Sequence, residues 1–211
     1  MSASPNSSER HSIDGEPAWE VATLLPAQGD WTECDFFRLH TNRMAELVGG
    51  RLEVLPVPTW LHQLIVKMLV TAVEPHATSA GGVVLFAPLP VRLFPGTIRE
   101  PDVLYVSAEN APAEGDDYPR RIDLAIEVVS GGEVARRRDY EEKRVDYARA
   151  GVGEYWIVDP ELRAITVLTL SGSTYEEFGV FGEGDRAVGK LLPGMAVDVS
   201  VLFAAVKRAS S

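Results

Sequence analysis

Three charged residues stand where the surrounding pattern calls for buried apolar ones. Glu127 lies inside Leu124-Ala-Ile-Glu-Val-Val129, a run that is otherwise apolar throughout. A carboxylate buried alone is costly, so it must be protonated, paired with a cation or bound to a metal. Lys143 follows Tyr140 and precedes Tyr147 at spacings that put all three on one helix face. If the tyrosines pack inward, that lysine borders the core. Asp102 follows Pro101 at the entrance to the apolar run Val103-Leu-Tyr-Val106.

Taken singly, each has an ordinary explanation. Glu127 could sit in a structural ion pair or carry a proton, and Lys143 could pack its stem while its ammonium reaches water. Asp102 could be a turn residue. Taken together, two carboxylates on neighbouring strands can hold one hard divalent cation through oxygen ligands. A lysine beside them can polarise or position water. A divalent cation offsets charge on a scissile phosphate and its transition state. Phosphodiester hydrolysis needs these parts and no covalent nucleophile.

The elements that must position these groups are legible in outline. Thr32 can cap a short helix over Glu33–Leu39. Residues 46–48 and 51–55 read as a hairpin around Gly49-Gly50. Thr59 can cap a helix with apolar residues at helical spacing, running to about Glu74 and stopped by Pro75. Strands are expected at 83–86, 91–94 and 103–106, and the run 124–129 suits a central strand covered on both faces. A helix follows over about 134–150, stopped by Gly151, and then a strand at 155–158. Strand, helix, strand in that order is a βαβ-like unit. Residues 164–170, 174–181 and 187–191 read as an antiparallel meander, and 201–208 as a closing helix. The class is therefore α/β (α+β).

With these motifs in place, the chain resembles a known family. Pro101-Asp102, Asp123 to Ser130, Arg138-Asp139-Tyr-Glu-Glu-Lys143 and Tyr147 to Pro160 are similar to the Uma-two family of the PD-(D/E)XK nuclease superfamily. Glu46-Leu-Val-Gly-Gly-Arg-Leu52, Pro56, Pro58, His62-Gln63 and Leu192-Pro-Gly194 extend the likeness over about residues 30–205. The resemblance implies a restriction-endonuclease-like fold: a central mixed β-sheet flanked by helices, with added antiparallel strands. It implies Mg2+ (or Mn2+) as cofactor, DNA as substrate, Asp102 and Glu127 as metal ligands and the Val128 carbonyl as a backbone ligand. The superfamily's lysine normally stands two residues after the second acid, where this chain has Val129. The resemblance therefore implies that Lys143, on the next helix, carries that role. Glu46 matches an N-terminal acidic position that could bind a second metal or orient water. Ala45, Gly49 and the Ser130-Gly131-Gly132 loop depart from the family pattern.

Length and composition frame this reading. The 211 residues fit a tail over 1–28 and one domain over 29–208. The N-terminus lacks the apolar segment of a secretory signal, and no apolar stretch is long enough for a membrane span. Cys34 is the single cysteine, which excludes an intramolecular disulfide and fits a cytoplasmic protein. The net charge of −11 is unusual for a duplex binder, which normally presents a basic face. Arg136, Arg137 and Arg138 form a local basic cluster, and His62 lies near a helix start; all four are candidate DNA contacts or solvated and structural groups. A homodimer is expected if both strands of a duplex are cut. Two rival readings use the same residues: a catalytically silent binding or scaffold module on a nuclease fold, and a phosphoesterase acting on a nucleotide.

Overall fold

The computed structural model describes residues 25–39 and 44–209, with backbone only for 206–209. Residues 1–24 of the expected tail lie outside this range. The framework is a six-stranded mixed sheet in the order β10-β9-β8-β7-β6-β3. Its strands are β3 (Val83–Phe86), β6 (Val103–Val106), β7 (Leu124–Val128), β8 (Glu154–Asp159), β9 (Ala164–Ser171) and β10 (Thr174–Phe181). Only the central β7 and β8 run parallel, and the helical segment between them makes the crossover. The remaining pairs are antiparallel. A second sheet of four strands has the order β2-β1-β5-β4. It comprises β1 (Ala45–Val48), β2 (Arg51–Val54), β4 (Val91–Phe94) and β5 (Thr97–Arg99). Glu100, Pro101 and Asp102 carry the chain from the small sheet to the large one.

Both faces of the large sheet are covered, which explains the near-continuous apolar runs of β7 and β8. Helix α1 (Glu33–Arg38) starts with a capping box made by Thr32 and Asp35. It packs Phe36 with Trp31, Leu47 and Ile98 on the small sheet. Helix α2 (Trp60–Ser79) lays Ile65, Leu69, Val73 and Ala77 on one face of the large sheet. The C-terminal helix joins α2 there. The other face takes the crossover, which runs from α3 (Glu133–Arg137) through one turn of π-helix (Arg138–Glu142) into α4 (Lys143–Ala150). Tyr147 and Ala148 pack there with Ala125, Val129, Tyr155 and Ile157. Gly151 closes α4 at φ +78°, a conformation that favours glycine.

The structure departs from the sequence pattern in informative places. Pro75 does not end α2, which continues to Ser79. Proline removes one backbone donor, yet Leu69, Val73 and Ala77 form a fully buried stripe that carries the helix past it. The expected third meander strand at 187–191 is shorter and lies elsewhere. β11 (Arg186–Val188) pairs instead with β12 (Ala196–Asp198) in a separate two-stranded sheet, ahead of helix α5 (Val199–Ala209). Strands β5 and β12, three residues each, are too short to leave an alternating pattern. Among the described residues, no helix is long and apolar enough to cross a membrane.

One buried acid serves this framework alone. Glu154, 1% exposed, accepts hydrogen bonds from Trp156 Nε1 at 2.7 Å and from the backbone N–H of Lys190 and Leu191 at 2.7 and 3.2 Å. A Cβ at Gly189 would fall 2.0 Å from its carboxylate, so only glycine admits that approach. Glu154→Ala leaves those donors unpaired and is expected to destabilise the fold by about 2–4 kcal/mol. Urea unfolding checks this, and an unchanged midpoint would refute it.

Candidate functional site

The alternation of β7 sets the direction of Glu127. Leu124, Ile126 and Val128 face α2, whereas Ala125 and Val129 face the crossover helix. Glu127 shares the parity of the second group and therefore meets that helix. Its Oε1 lies 2.8 Å from Lys143 Nζ and accepts the Tyr147 hydroxyl at 2.6 Å. Lys143 Nζ also lies 3.2 Å from Glu46 Oε1 and 3.8 Å from Asp139 Oδ1. Asp139, Lys143 and Tyr147 follow one another at four-residue intervals, and the π turn carries the first of them. Such turns occur often at functional sites. Tyr155 fixes this one by donating from its hydroxyl to the Asp139 carbonyl at 2.8 Å.

Asp102 stands just before β6, whose Val103 pairs with Ile126 of β7. Its Oδ2 accepts the Val128 N–H at 2.8 Å and lies 3.1 Å from His62 Nε2. His62 thus belongs to the site as a neighbour of Asp102, delivered by the first turn of α2. Its pKa is raised: burial pushes it down, but the Asp102 carboxylate more than compensates.

Glu46 comes from the small sheet, and its contacts define its work. Oε1 takes the Glu100 N–H at 3.0 Å as well as Lys143, and Oε2 takes Arg99 Nη1 at 2.7 Å. Both oxygens are committed to positioning cations and backbone. Arg99, 1% exposed, also binds Asp146 of α4 through Nε and Nη2. Glu46, Arg99 and Asp146 therefore tie the small sheet to the helix that carries Lys143.

Glu100 and Asp139, which the sequence pattern did not single out, join Asp102, Glu127 and Lys143 around one cavity. The space open to water-sized spheres is about 30 Å3, enough for an ion or a water molecule. Glu100 Oε2, Asp139 Oδ1 and His62 Nδ1 are buried there without hydrogen-bond partners among the described residues. The available signals were local: Glu100 precedes Pro101-Asp102, and Asp139 lies one helical turn before Lys143. Val128 also lines the cavity. Among the described residues, no three His, Cys, Asp or Glu side chains stand in a ready-made metal cluster. Of the basic cluster, Arg138 reaches the cavity wall. Arg136 is held by Asp159 and Glu161, and Arg137 by Glu142.

The charge balance of the cavity is negative, and its carboxyl groups respond to it. Burial would raise Glu46, but the Lys143 ammonium and Arg99 guanidinium hold it down to about 2. Burial would lower Lys143, but Glu127 and Glu46 keep it firmly protonated. Glu127 is pushed well above the usual carboxylate range, by burial first and by Asp102, Asp139 and Glu46 against the pull of Lys143. Glu100 rises to about 7 through burial and the Glu46 charge. Asp139 rises for the same kind of reason. Oxygens that hold protons for want of positive charge suit a divalent cation, which displaces those protons.

Comparison with known proteins places the chain in a family and its fold beside a solved one. The sequence model of the Uma2 family, described as "putative restriction endonuclease", matches residues 34–200. The chain belongs to that family. Its fold is also similar to the crystal structure of a putative nuclease belonging to DUF820 from Anabaena variabilis ATCC 29413. The TM-score is 0.68 at 18% identity, covering 83% of this chain and 98% of that one. No curated protein matches the chain.

The Glu100 shift gives a stability test without metal. Its pKa is about 7 in the fold against an ordinary 4.5. Between these values the folded state holds the extra proton, so stability present below about pH 4.5 is lost as pH rises through about 7. In EDTA the melting temperature is expected to fall from pH 5 to pH 8. Glu100→Gln should flatten that fall and melt a few degrees higher at pH 8. Identical pH profiles for the two proteins would contradict this.

Proposed function

We propose that this protein is a Mg2+- or Mn2+-dependent endonuclease that hydrolyses DNA phosphodiester bonds. The observation that carries the proposal is the buried grouping of Asp102, Glu127 and Lys143 around a cavity with unpartnered carboxylate oxygens. Membership of a family described as putative restriction endonucleases supports it. Asp102, Glu127 and the Val128 carbonyl would hold the cation. When bound, the ion supplies Lewis-acid stabilisation of a phosphate oxygen and lowers the pKa of bound water.

The chain's own groups have separable tasks. Lys143 stays an ammonium, so it cannot accept a proton; it stabilises charge developing on the phosphate and fixes the orientation of Glu127. Glu46 and Tyr147 hold Lys143 and Glu127 in place. Glu100, which lines the cavity with a free Oε2, is suited to take the proton of the attacking water. His62, hydrogen-bonded to Asp102, lines the same cavity. A homodimer would place two such sites for cutting both strands.

A silent binding module is the second reading, favoured by two observations. Lys143 and Tyr147 already occupy Glu127 Oε1, and no metal cluster is preformed among the described residues. Titration calorimetry with Mn2+ separates the two. Binding that is lost in Glu127→Gln supports the enzyme, whereas no binding by wild type supports the module.

Incubation of the pure protein with DNA and RNA of varied form and Mn2+ tests the activity. Lys143→Met and Glu127→Gln are each expected to lower cleavage by about 100-fold or more. No cleavage by wild type, or equal cleavage by the Lys143 variant, would overturn the proposal.

A further inference from the structure

Two demands on Glu127 conflict. As a ligand it must offer its carboxylate to a cation, yet Oε1 already meets Lys143 Nζ at 2.8 Å and the Tyr147 hydroxyl at 2.6 Å. An ammonium and a divalent cation repel each other, so they compete for one buried carboxylate. Lys143 would then need another anion, because a bare buried ammonium is strongly disfavoured. Two other acids stand near it. Glu46 Oε1 is 3.2 Å away, but that oxygen also takes the Glu100 N–H, and Arg99 holds Oε2. Asp139 Oδ1 is 3.8 Å away and accepts no hydrogen bond from the described residues. Its other cationic neighbour, Arg138 Nε, lies at 3.6 Å, too far for a hydrogen bond.

Asp139 is firmly placed although its carboxylate is uncommitted. It is 2% exposed, and the π turn sets it four residues before Lys143. The Tyr155 hydroxyl holds its carbonyl at 2.8 Å. Asp139 and Lys143 line the same cavity as Asp102 and Glu127. A carboxylate kept only to stabilise the resting fold would spend a buried oxygen on a donor.

We infer that Asp139 is the reserve counter-ion of Lys143, which takes over the ammonium and frees Glu127 for the cation. This rests on the nuclease reading and adds a positioning residue to it. A shift of roughly 1 Å would bring Nζ to the range of a charge-assisted hydrogen bond, and the flexible lysine stem allows it. Lys143 stays paired throughout the exchange. The contacts that occupy Glu127 are then its resting arrangement and no obstacle to metal binding.

The first test uses the full chain without metal. In EDTA at pH 8, Asp139→Asn should melt at the wild-type temperature or above it, because the oxygen it replaces is unpartnered in the resting fold. In the Glu127→Gln protein Lys143 must rely on Asp139, so the same substitution there should lower the melting temperature by about 2–4 °C. The second test titrates Mn2+ alone by calorimetry. Asp139→Asn should weaken binding about tenfold in otherwise wild-type protein. In Lys143→Met, which has no ammonium to pass on, it should change nothing. An equal loss of Mn2+ affinity in both backgrounds would make Asp139 a direct ligand and overturn the inference. So would a melting temperature lowered equally with and without Glu127, which marks a purely structural residue. Failures of the two readings are distinguishable. Mn2+ binding and cleavage that ignore Asp139→Asn remove the exchange and keep the nuclease. A Glu127-dependent melting effect in a protein that binds no Mn2+ removes the nuclease and keeps the exchange.

Discussion

Everything at the centre of this protein depends on where one ammonium group sits. Lys143 is 2% exposed and has Glu127, Glu46 and Asp139 within 4 Å. Water hydrates an ammonium strongly, so its removal is tolerable only with close anionic partners. Those partners come from the small sheet, the large sheet and the helix's own π turn. The lysine is therefore the point where three structural units must agree. The aromatic wall of Tyr147 and Tyr155 excludes solvent around it and places a hydroxyl on Glu127.

The negative side of this balance is in excess. Glu100 and Asp139 face the cavity with oxygens that accept no hydrogen bond from the described residues. Close-packed proteins rarely leave buried polar atoms unmet, and those left unmet often have a functional explanation. Here the unmet oxygens agree with the proposed chemistry, which would bring a cation to them.

Much of this could be read in the chain, for identifiable reasons. Glu127 broke an otherwise apolar strand, and Lys143 shared a face with tyrosines; both signals come from burial, which leaves a periodic trace. The parallel β7–β8 pair followed from two apolar runs joined by a helix. Other parts left no such trace. Glu100 and Asp139 lie outside apolar runs, so nothing in the local pattern marks them as buried. Arg99 sits on a three-residue strand, and its role comes from partners 53 and 47 positions away. The basic run at 136–138 looked like one surface, yet folding assigns its members to different carboxylates and one to the cavity wall. Pro75 misled because local propensity lost to a buried stripe on α2.

The tie of Arg99 to Glu46 and Asp146 has a consequence for how the molecule is made. Synthesis runs from the N-terminus, so Glu46, Glu100, Asp102 and Glu127 all emerge before Lys143. Until the crossover helix follows, those acids lack the cation they are built around, and the small sheet lacks its anchor on Asp146. The cavity thus cannot be completed before the crossover helix has been made. Its assembly reports that the two halves of the protein have met.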